Sequence, residues 1–113
     1  MRLSILVPLA ALALANVAAA EPPTHKVTLT LKDHRFAPDT VEVPSGQRIH
    51  VELINLDGAT EEFDSIDLKV EKDVTPHGRI SFVVGPLAPG AYSFMGELHA
   101  ATASGRFIAI AAP

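Results

Sequence analysis

Short runs in which apolar and polar residues alternate, separated by turns rich in proline and glycine, fill the sequence after residue 25. A period of two is typical of half-buried β-strands. The pattern predicts extended segments at residues 27–31, 40–43, 48–53, 80–84, 92–95 and 106–111, and residues 63–73 are read as short strands or one helical turn. Seven to eight short strands at regular spacing predict an all-β, antiparallel sandwich or barrel.

The first twenty residues have the pattern of a secretory signal peptide. Arg2 supplies a positive charge, residues 3–17 are almost entirely apolar, and residues 18–20 are three alanines. This pattern predicts export, with cleavage after Ala20. The chain has 113 residues in all, so residues 21–113 are expected to form one small domain.

The charge balance disfavours several partners. The chain carries a formal charge of −4, and −5 without Arg2, and it has no cluster of lysine and arginine. Such a surface repels phosphates and anionic lipid headgroups, so nucleic acid and membrane surfaces are poor candidates. After the leader, no apolar run approaches the roughly 20 residues of a membrane-spanning helix, so the domain is not expected to be membrane-embedded.

The absence of cysteine excludes several kinds of chemistry. With no thiol in the chain, it cannot form disulfides, thiolate zinc sites, iron–sulfur clusters or a blue-copper centre, and it has no cysteine nucleophile. The serines do not lie in a nucleophile elbow, and the sequence has no phosphate-binding glycine loop and no His-Glu-x-x-His motif. Hydrolase and nucleotide chemistry are therefore disfavoured, and we predict no catalytic residues.

Candidate metal ligands are concentrated at two places. Glu61 and Glu62 follow a predicted strand end, and Met95, Glu97 and His99 lie in the penultimate turn. Carboxylate, imidazole and thioether groups together suit copper or iron better than calcium, which prefers oxygen ligands. The residues alone leave another interpretation open, in which the glutamates form a solvated turn, the methionine fills the core and the histidine lies in a loop.

Several segments together resemble a cupredoxin, and the similarity covers residues 26–110. The segments are residues 36–38, 41–46, 55–57 and 85–94, with His99 and Gly105. The resemblance implies a Greek-key β-sandwich. In the cupredoxin ligand loop His99 matches the histidine, whereas Gly96 falls near the cysteine and Ala103 near the methionine. Glu61, with Glu62 beside it, stands where the upstream histidine would be, so blue-copper electron transfer is not expected.

These departures are themselves similar to the cysteine-free cupredoxin-like proteins of bacterial periplasms, on residues 61–65, 85–87, 89–90 and 96–99. That resemblance implies a periplasmic protein that handles copper or iron for an iron permease or a periplasmic iron-uptake component. A further hypothesis adds an accessory role in ferrous iron oxidation, with Glu61, Glu62 and Glu97 holding iron and His99 and Met95 holding copper. The alternative is a metal-free adaptor that docks on such a partner; a homodimer through residues 95–99 is a further possibility.

Strand periodicity ranks the candidate ligands. Glu61 shares a face with Phe63 and Ser65, so it is expected to point inward while Glu62 points to solvent. His99 then needs an acceptor for its second ring nitrogen, for which Glu97 or a backbone carbonyl is the candidate. Met95 would add a soft sulfur that favours Cu(I). The remaining histidines are predicted to be surface residues: His25, His34, His50 and His77.

Overall fold

Nine β-strands make up the described part of the chain. The computed structural model describes residues 23–111, together with Arg2 and Ser4, so the predicted signal peptide lies almost wholly outside the described residues. The strands are β1 (Thr24–Lys32), β2 (Arg35–Ala37), β3 (Thr40–Pro44), β4 (Arg48–Asn55), β5 (Glu61–Ser65), β6 (Val70–Val74), β7 (Arg79–Val84), β8 (Gly90–Gly96) and β9 (Ser104–Ile110). A single 3-10 turn, Glu97–His99, links β8 to β9.

The strands form two packed sheets, which confirms the predicted all-β sandwich. One sheet has four strands in the order β2-β1-β4-β7, and the other has five in the order β3-β9-β8-β5-β6. Most neighbours are antiparallel, but the β1–β4 and β3–β9 pairs are parallel. The β1–β4 pair is parallel because the chain leaves the first sheet after β2, forms β3 in the other sheet, and then returns beside β1.

Three of the strands were not distinct in the sequence pattern. β2 has only three residues, too few for an alternation to be visible, and it pairs with β1 across a two-residue turn. The irregular segment after residue 62 resolves into β5 and β6 rather than a helical turn, and these two strands pair antiparallel. Among the described residues, no helix has the length and apolar character needed to cross a membrane.

The core lies between the sheets and contains all five phenylalanines of the chain, each buried. Phe36 meets Phe94 edge-on with ring centroids 5.0 Å apart, and Phe63 stacks on Phe94 at 5.1 Å. Offset and edge-on aromatic pairs of this kind add to the free energy gained from apolar burial. In this cysteine-free domain the stability therefore comes from packing, and the aromatic cluster joins the two sheets.

Candidate metal centre

Three side chains from separate segments meet at one end of the sandwich. They are His34 in the β1–β2 turn, Glu61 at the start of β5, and His99 at the end of the 3-10 turn. One potential ligand atom from each lies within 4.8 Å of the corresponding atoms of the other two. We call these three residues the inner site, since Glu61 points between the sheets.

Glu61 is the most deeply buried member of the inner site, with 2% of its surface exposed. The β5 alternation turns Glu61, Phe63 and Ser65 inward, as the sequence predicted. Its Oε1 accepts hydrogen bonds from the backbone N–H groups of Glu62 and Leu98, both at 3.0 Å. A buried carboxylate requires such partners, because an ionised group removed from water without them is strongly disfavoured.

His99 completes the hydrogen bonding of this carboxylate. Its Nδ1 lies 2.5 Å from Glu61 Oε2, so the imidazole and the carboxylate are in direct hydrogen-bond contact. Nδ1 is thereby engaged, and Nε2 faces away from Glu61. The sequence predicted that Glu97 or a backbone carbonyl would be the hydrogen-bond partner of one ring nitrogen of His99; the structure shows Glu61 in that role. A carboxylate that orients an imidazole in this way is common around protein-bound metals.

His34 stacks on His99, with ring centroids 3.6 Å apart and the ring planes 9° from parallel. The side chain of His34 is 43% exposed, whereas that of His99 is 28% exposed. The sequence predicted His34 to be a surface residue, and that prediction missed the main contact of its side chain, the ring of His99. No local pattern signalled this contact, because β2 was not visible in the sequence and histidine is not among the residues preferred in two-residue hairpin turns.

The backbone around His34 is held by Asp57. The Asp57 carboxylate accepts the N–H of Asp33 at 2.7 Å and the N–H of His34 at 2.9 Å. The His34 N–H bond is the main cause that holds the pKa of Asp57 below its usual range; burial opposes it, and the Asp33 N–H and the two nearby imidazoles lower it further. The Asp57 N–H in turn donates to the buried side chain of Asn55.

Gly96 gives the Glu61 carboxylate the space it occupies. A Cβ built on Gly96 would lie 2.6 Å from Glu61 Cδ and 2.8 Å from Ala103 Cβ, distances that real Cβ atoms do not show. Gly96 is the position that falls near the cysteine ligand in the cupredoxin resemblance. The buried glutamate therefore fills the volume into which a side chain at position 96 would project.

A second group of carboxylates lies on the outer face of the same sheet. We call Glu62, Glu71 and Glu97 the outer acidic cluster; each offers an oxygen within 4.8 Å of the others. The hydrogen bond with Glu71, then burial and the charges of Glu97 and Glu71, raise the pKa of Glu62 to about 7. Like charges this close disfavour the ionised form, so the cluster holds a proton well above the usual range of a carboxyl.

The five ligands predicted from the sequence are thus divided between two faces. Glu61 and His99 come together in the inner site, while Glu62 and Glu97 belong to the outer acidic cluster. Met95 is exposed and pairs with Asp64, on the face of β8 opposite to buried Phe94 and Gly96. The structure therefore does not bring Met95 to Glu61 and His99.

The donors of the inner site are two imidazoles and one carboxylate. Imidazole binds copper, iron and zinc, and a set of two histidines and one carboxylate is also used for ferrous iron. A blue-copper centre does not fit, because the chain contains no cysteine. A copper or iron ion held by nitrogen and oxygen donors does fit, since Glu61 supplies a buried negative charge and the imidazoles supply neutral nitrogen ligands.

The fold and sequence together place the protein in a family. The family model of the cupredoxin-like domain matches residues 4–109, and the chain belongs to this family. An uncharacterized protein of Rickettsia prowazekii (strain Madrid E) is 45% identical over 83 residues, which is 74% of this chain and 66% of that protein. The matched region thus spans slightly less than two thirds of this relative's length.

Solved structures show the same fold at low sequence identity. The metal-binding domain of the Streptococcus pneumoniae Cu(I)-exporting P-type ATPase CopA, solved with Cu(I), has a TM-score of 0.70 at 10% identity; the match covers 81% of this chain and 91% of that one. Auracyanin A, a "blue" copper protein from Chloroflexus aurantiacus, has a TM-score of 0.66 at 9% identity, covering 77% and 99%. These likenesses confirm the cupredoxin-like architecture.

Proposed function

We propose that this protein is an exported, periplasmic cupredoxin-like protein that binds a copper or iron ion at the inner site and handles it for an iron-uptake permease system. The observation that carries the proposal is the buried carboxylate of Glu61 in contact with the imidazole of His99, with a second imidazole from His34 stacked beside it. A small apolar core gains no stability from an ionisable group as such, so a buried acid beside two histidines points to a role in binding.

The chemistry of the inner site supports a transition metal over other ligands. Glu61 is one negative charge buried at the end of the apolar core, and a cation offsets that charge better than any neutral ligand. Imidazole nitrogens exclude calcium and magnesium as the preferred ions, because these favour oxygen donors alone. Without a thioether in the inner site, the donor set favours Cu(II) or Fe(II) over Cu(I), which prefers sulfur.

The chain's own residues have separate tasks in this proposal. Glu61 and His99 bind the ion, and Glu61 also fixes the ring of His99 through Nδ1. The backbone N–H groups of Glu62 and Leu98 hold the carboxylate in place. A copper or iron ion bound there can change oxidation state by one electron. The outer acidic cluster adjoins the inner site through the Glu61–Glu62 peptide, and this nearness of two groups of potential ligands supports an accessory role in ferrous iron oxidation.

The place of action rests on the sequence. The leader pattern of residues 1–20 supports export, and the resemblance to cysteine-free periplasmic proteins supports an iron permease or uptake component as the partner. The names of the similar structures, a copper exporter domain and a copper protein, support copper as one ion to test first.

The test is a calorimetric titration of the protein secreted from the full-length chain, with Cu(II) and, under anaerobic conditions, Fe(II). We expect one ion per chain in the wild type, with binding lost in His99→Ala and weakened roughly 10- to 100-fold in Glu61→Gln, since Gln keeps the shape without the charge. His50→Ala is the matched control, because His50 lies on β4 away from the inner site; it should bind as the wild type does.

An absence of specific binding would favour the adaptor alternative. If the wild type binds neither ion more tightly than His99→Ala does, the inner site is structural and the protein is a metal-free docking module. Co-purification with the permease component from cells would then persist in His99→Ala. If binding is present but no permease component co-purifies under any metal condition, the metal proposal stands and the iron-uptake assignment fails.

A further inference from the structure

We propose that Asp57 is a positioning residue that presents His34 as a ligand to the ion held by Glu61 and His99. The inference rests on the proposed metal-binding function and adds to it a third ligand and the device that delivers it. The sequence placed His34 among the surface histidines and gave Asp57 no role. The argument comes from the β1–β2 turn and its hydrogen bonds.

The turn that carries His34 has a left-handed backbone at both of its residues. Lys32 pairs with Arg35, so Asp33 and His34 alone form the hairpin loop. Both have positive φ, 54° and 56°, the pattern of a type I′ turn. Glycine adopts this conformation without a steric penalty; histidine tolerates it better than most residues do, but glycine at the second position would favour the turn more.

Asp57 holds this backbone in place from another loop. Its two carboxylate oxygens accept one N–H each from Asp33 and His34. Asp57 is itself fixed by Asn55, whose buried side chain accepts the Asp57 N–H and donates to the carbonyls of Ala59 and Thr75. The β1–β2 turn is therefore anchored to a rigid loop rather than left to solvent.

The carbonyl of His34 is held as well. It accepts a hydrogen bond from the Thr102 hydroxyl at 2.7 Å, and Thr102 follows the 3-10 turn that carries His99. All of these bonds use the backbone of His34. The imidazole makes none of these hydrogen bonds; it stacks on His99, and its Nδ1 lies 3.6 Å from Asp57 Oδ2, which is beyond hydrogen-bond distance and within the range of an ion pair.

This division between backbone and side chain indicates what the histidine does. The turn would form more readily with glycine, and its anchoring bonds would be unchanged, so the imidazole is not needed for the fold. The imidazole stacks on His99, and a ligand atom of it lies within 4.8 Å of those of Glu61 and His99. An additional ligand to an ion held by these two residues would lie at this place. Asp57 and Thr102 thus fix the Cα of His34 while the half-exposed ring remains able to turn toward an ion.

The test uses Cu(II) alone as the probe, with two measurements on each variant: the dissociation constant by calorimetry, and the number of coordinated nitrogens from the hyperfine pattern in electron paramagnetic resonance. Urea unfolding without metal gives the stability. The variants are His34→Gly, Asp57→Ala, Asp57→Asn and the double variant His34→Gly/Asp57→Ala. Lys69→Gly is the matched control for a left-handed residue, because Lys69 has φ 57° in the turn at the other end of β5.

We expect two imidazole nitrogens in the wild type and one in His34→Gly, with affinity lower by roughly 10- to 100-fold. His34→Gly should unfold at or above the wild-type urea concentration, so its lost affinity is not lost folding. Asp57→Ala should lose a similar affinity, and the double variant should lose no more than His34→Gly does. Asp57→Asn, which keeps one acceptor, should recover part of the affinity. Lys69→Gly should bind as the wild type does.

The inference is overturned if the wild type binds Cu(II) through a single imidazole, or if His34→Gly keeps the wild-type affinity. It is also overturned if Asp57→Ala binds normally, or if its loss of affinity adds fully to that of His34→Gly. In each of these cases the proposed function still stands, provided that the wild type binds Cu(II) and His99→Ala does not. A wild type that binds no Cu(II) overturns both proposals together.

Discussion

Glu61 and Glu62 are adjacent in sequence, identical in chemistry and opposite in environment. Glu61 lies between the sheets, with two backbone N–H groups and an imidazole on its carboxylate. Glu62 lies on the outer face, where its neighbours are the carboxylates of Glu71 and Glu97. The difference teaches that proximity of acids does not by itself define a metal ligand. The inner carboxylate is oriented by N–H donors, whereas the outer carboxyls have one another as partners, through hydrogen bonds and like-charge repulsion.

The largest effect expected from this comparison is on stability. Glu61→Ala leaves the N–H groups of Glu62 and Leu98 and the Nδ1 of His99 without their acceptor. Leaving a buried hydrogen-bonding group unsatisfied typically lowers the free energy of unfolding by about 1–3 kcal/mol, and Glu61→Ala removes the acceptor of three donors at once. Urea unfolding followed by far-ultraviolet circular dichroism measures it, with Glu62→Ala as the matched control.

Glu62→Ala should not lower the unfolding midpoint, because it removes a carboxyl that faces other carboxyls. Equal midpoints for the wild type and Glu61→Ala would contradict the description of Glu61 as a hydrogen-bonded buried group. A larger decrease of the unfolding midpoint in Glu62→Ala than in Glu61→Ala would show that the outer carboxyl, not the inner one, stabilises the fold.

A smaller effect is expected at Gly96, which makes room for the inner carboxylate. Gly96→Ala places a methyl group 2.6 Å from Glu61 Cδ, and overpacking of this kind lowers stability by about 1–3 kcal/mol. Gly58→Ala is the matched control, since a Cβ there meets only His77 Nε2 at 3.8 Å. The penalty at position 96 should shrink in a Glu61→Ala background; a penalty that is unchanged there would show that Glu61 is not the obstacle.

The smallest effect concerns the outer acidic cluster and pH. The pKa of Glu62 is raised from 4.5 to about 7, so the folded protein keeps a proton that the unfolded chain has already released. Stability should therefore fall as pH rises from about 4.5 through about 7. Glu62→Gln should flatten this fall and unfold at higher urea than the wild type at pH 8. Identical pH profiles for the two proteins, measured without metal, would argue against the shift.

The sequence predicted the fold well because its main signal was local. Alternation at residues 27–31 and 49–53 and the turns between strands were enough to indicate a sandwich, and the alternation around Phe63 correctly turned Glu61 inward and Glu62 outward. The parallel β1–β4 pair was not predicted, since strand direction depends on a crossing between sheets rather than on local pattern.

The candidate site was predicted only in part, because some of its residues lie far apart in the sequence. Glu61 and His99 were identified, but His34 was not, because its role depends on Asp57 and Thr102, which no local pattern connects to it. Met95 was grouped with His99 by its nearness in sequence, yet a strand sends residues 95 and 96 to opposite faces. Neighbours along a strand are therefore poor evidence for a shared site, and residues at the ends of separate strands are better.

The inner site also joins the two sheets. His34 lies in a hairpin of the four-stranded sheet, whereas Glu61 and His99 lie in and beside the five-stranded sheet. An ion held by all three would act as a cross-link between layers that are otherwise joined by packing and hydrogen bonds, in a chain that has no cysteine to form a disulfide. Because its ligands converge only after both sheets have formed, such a cross-link would lock the folded protein without directing how it folds.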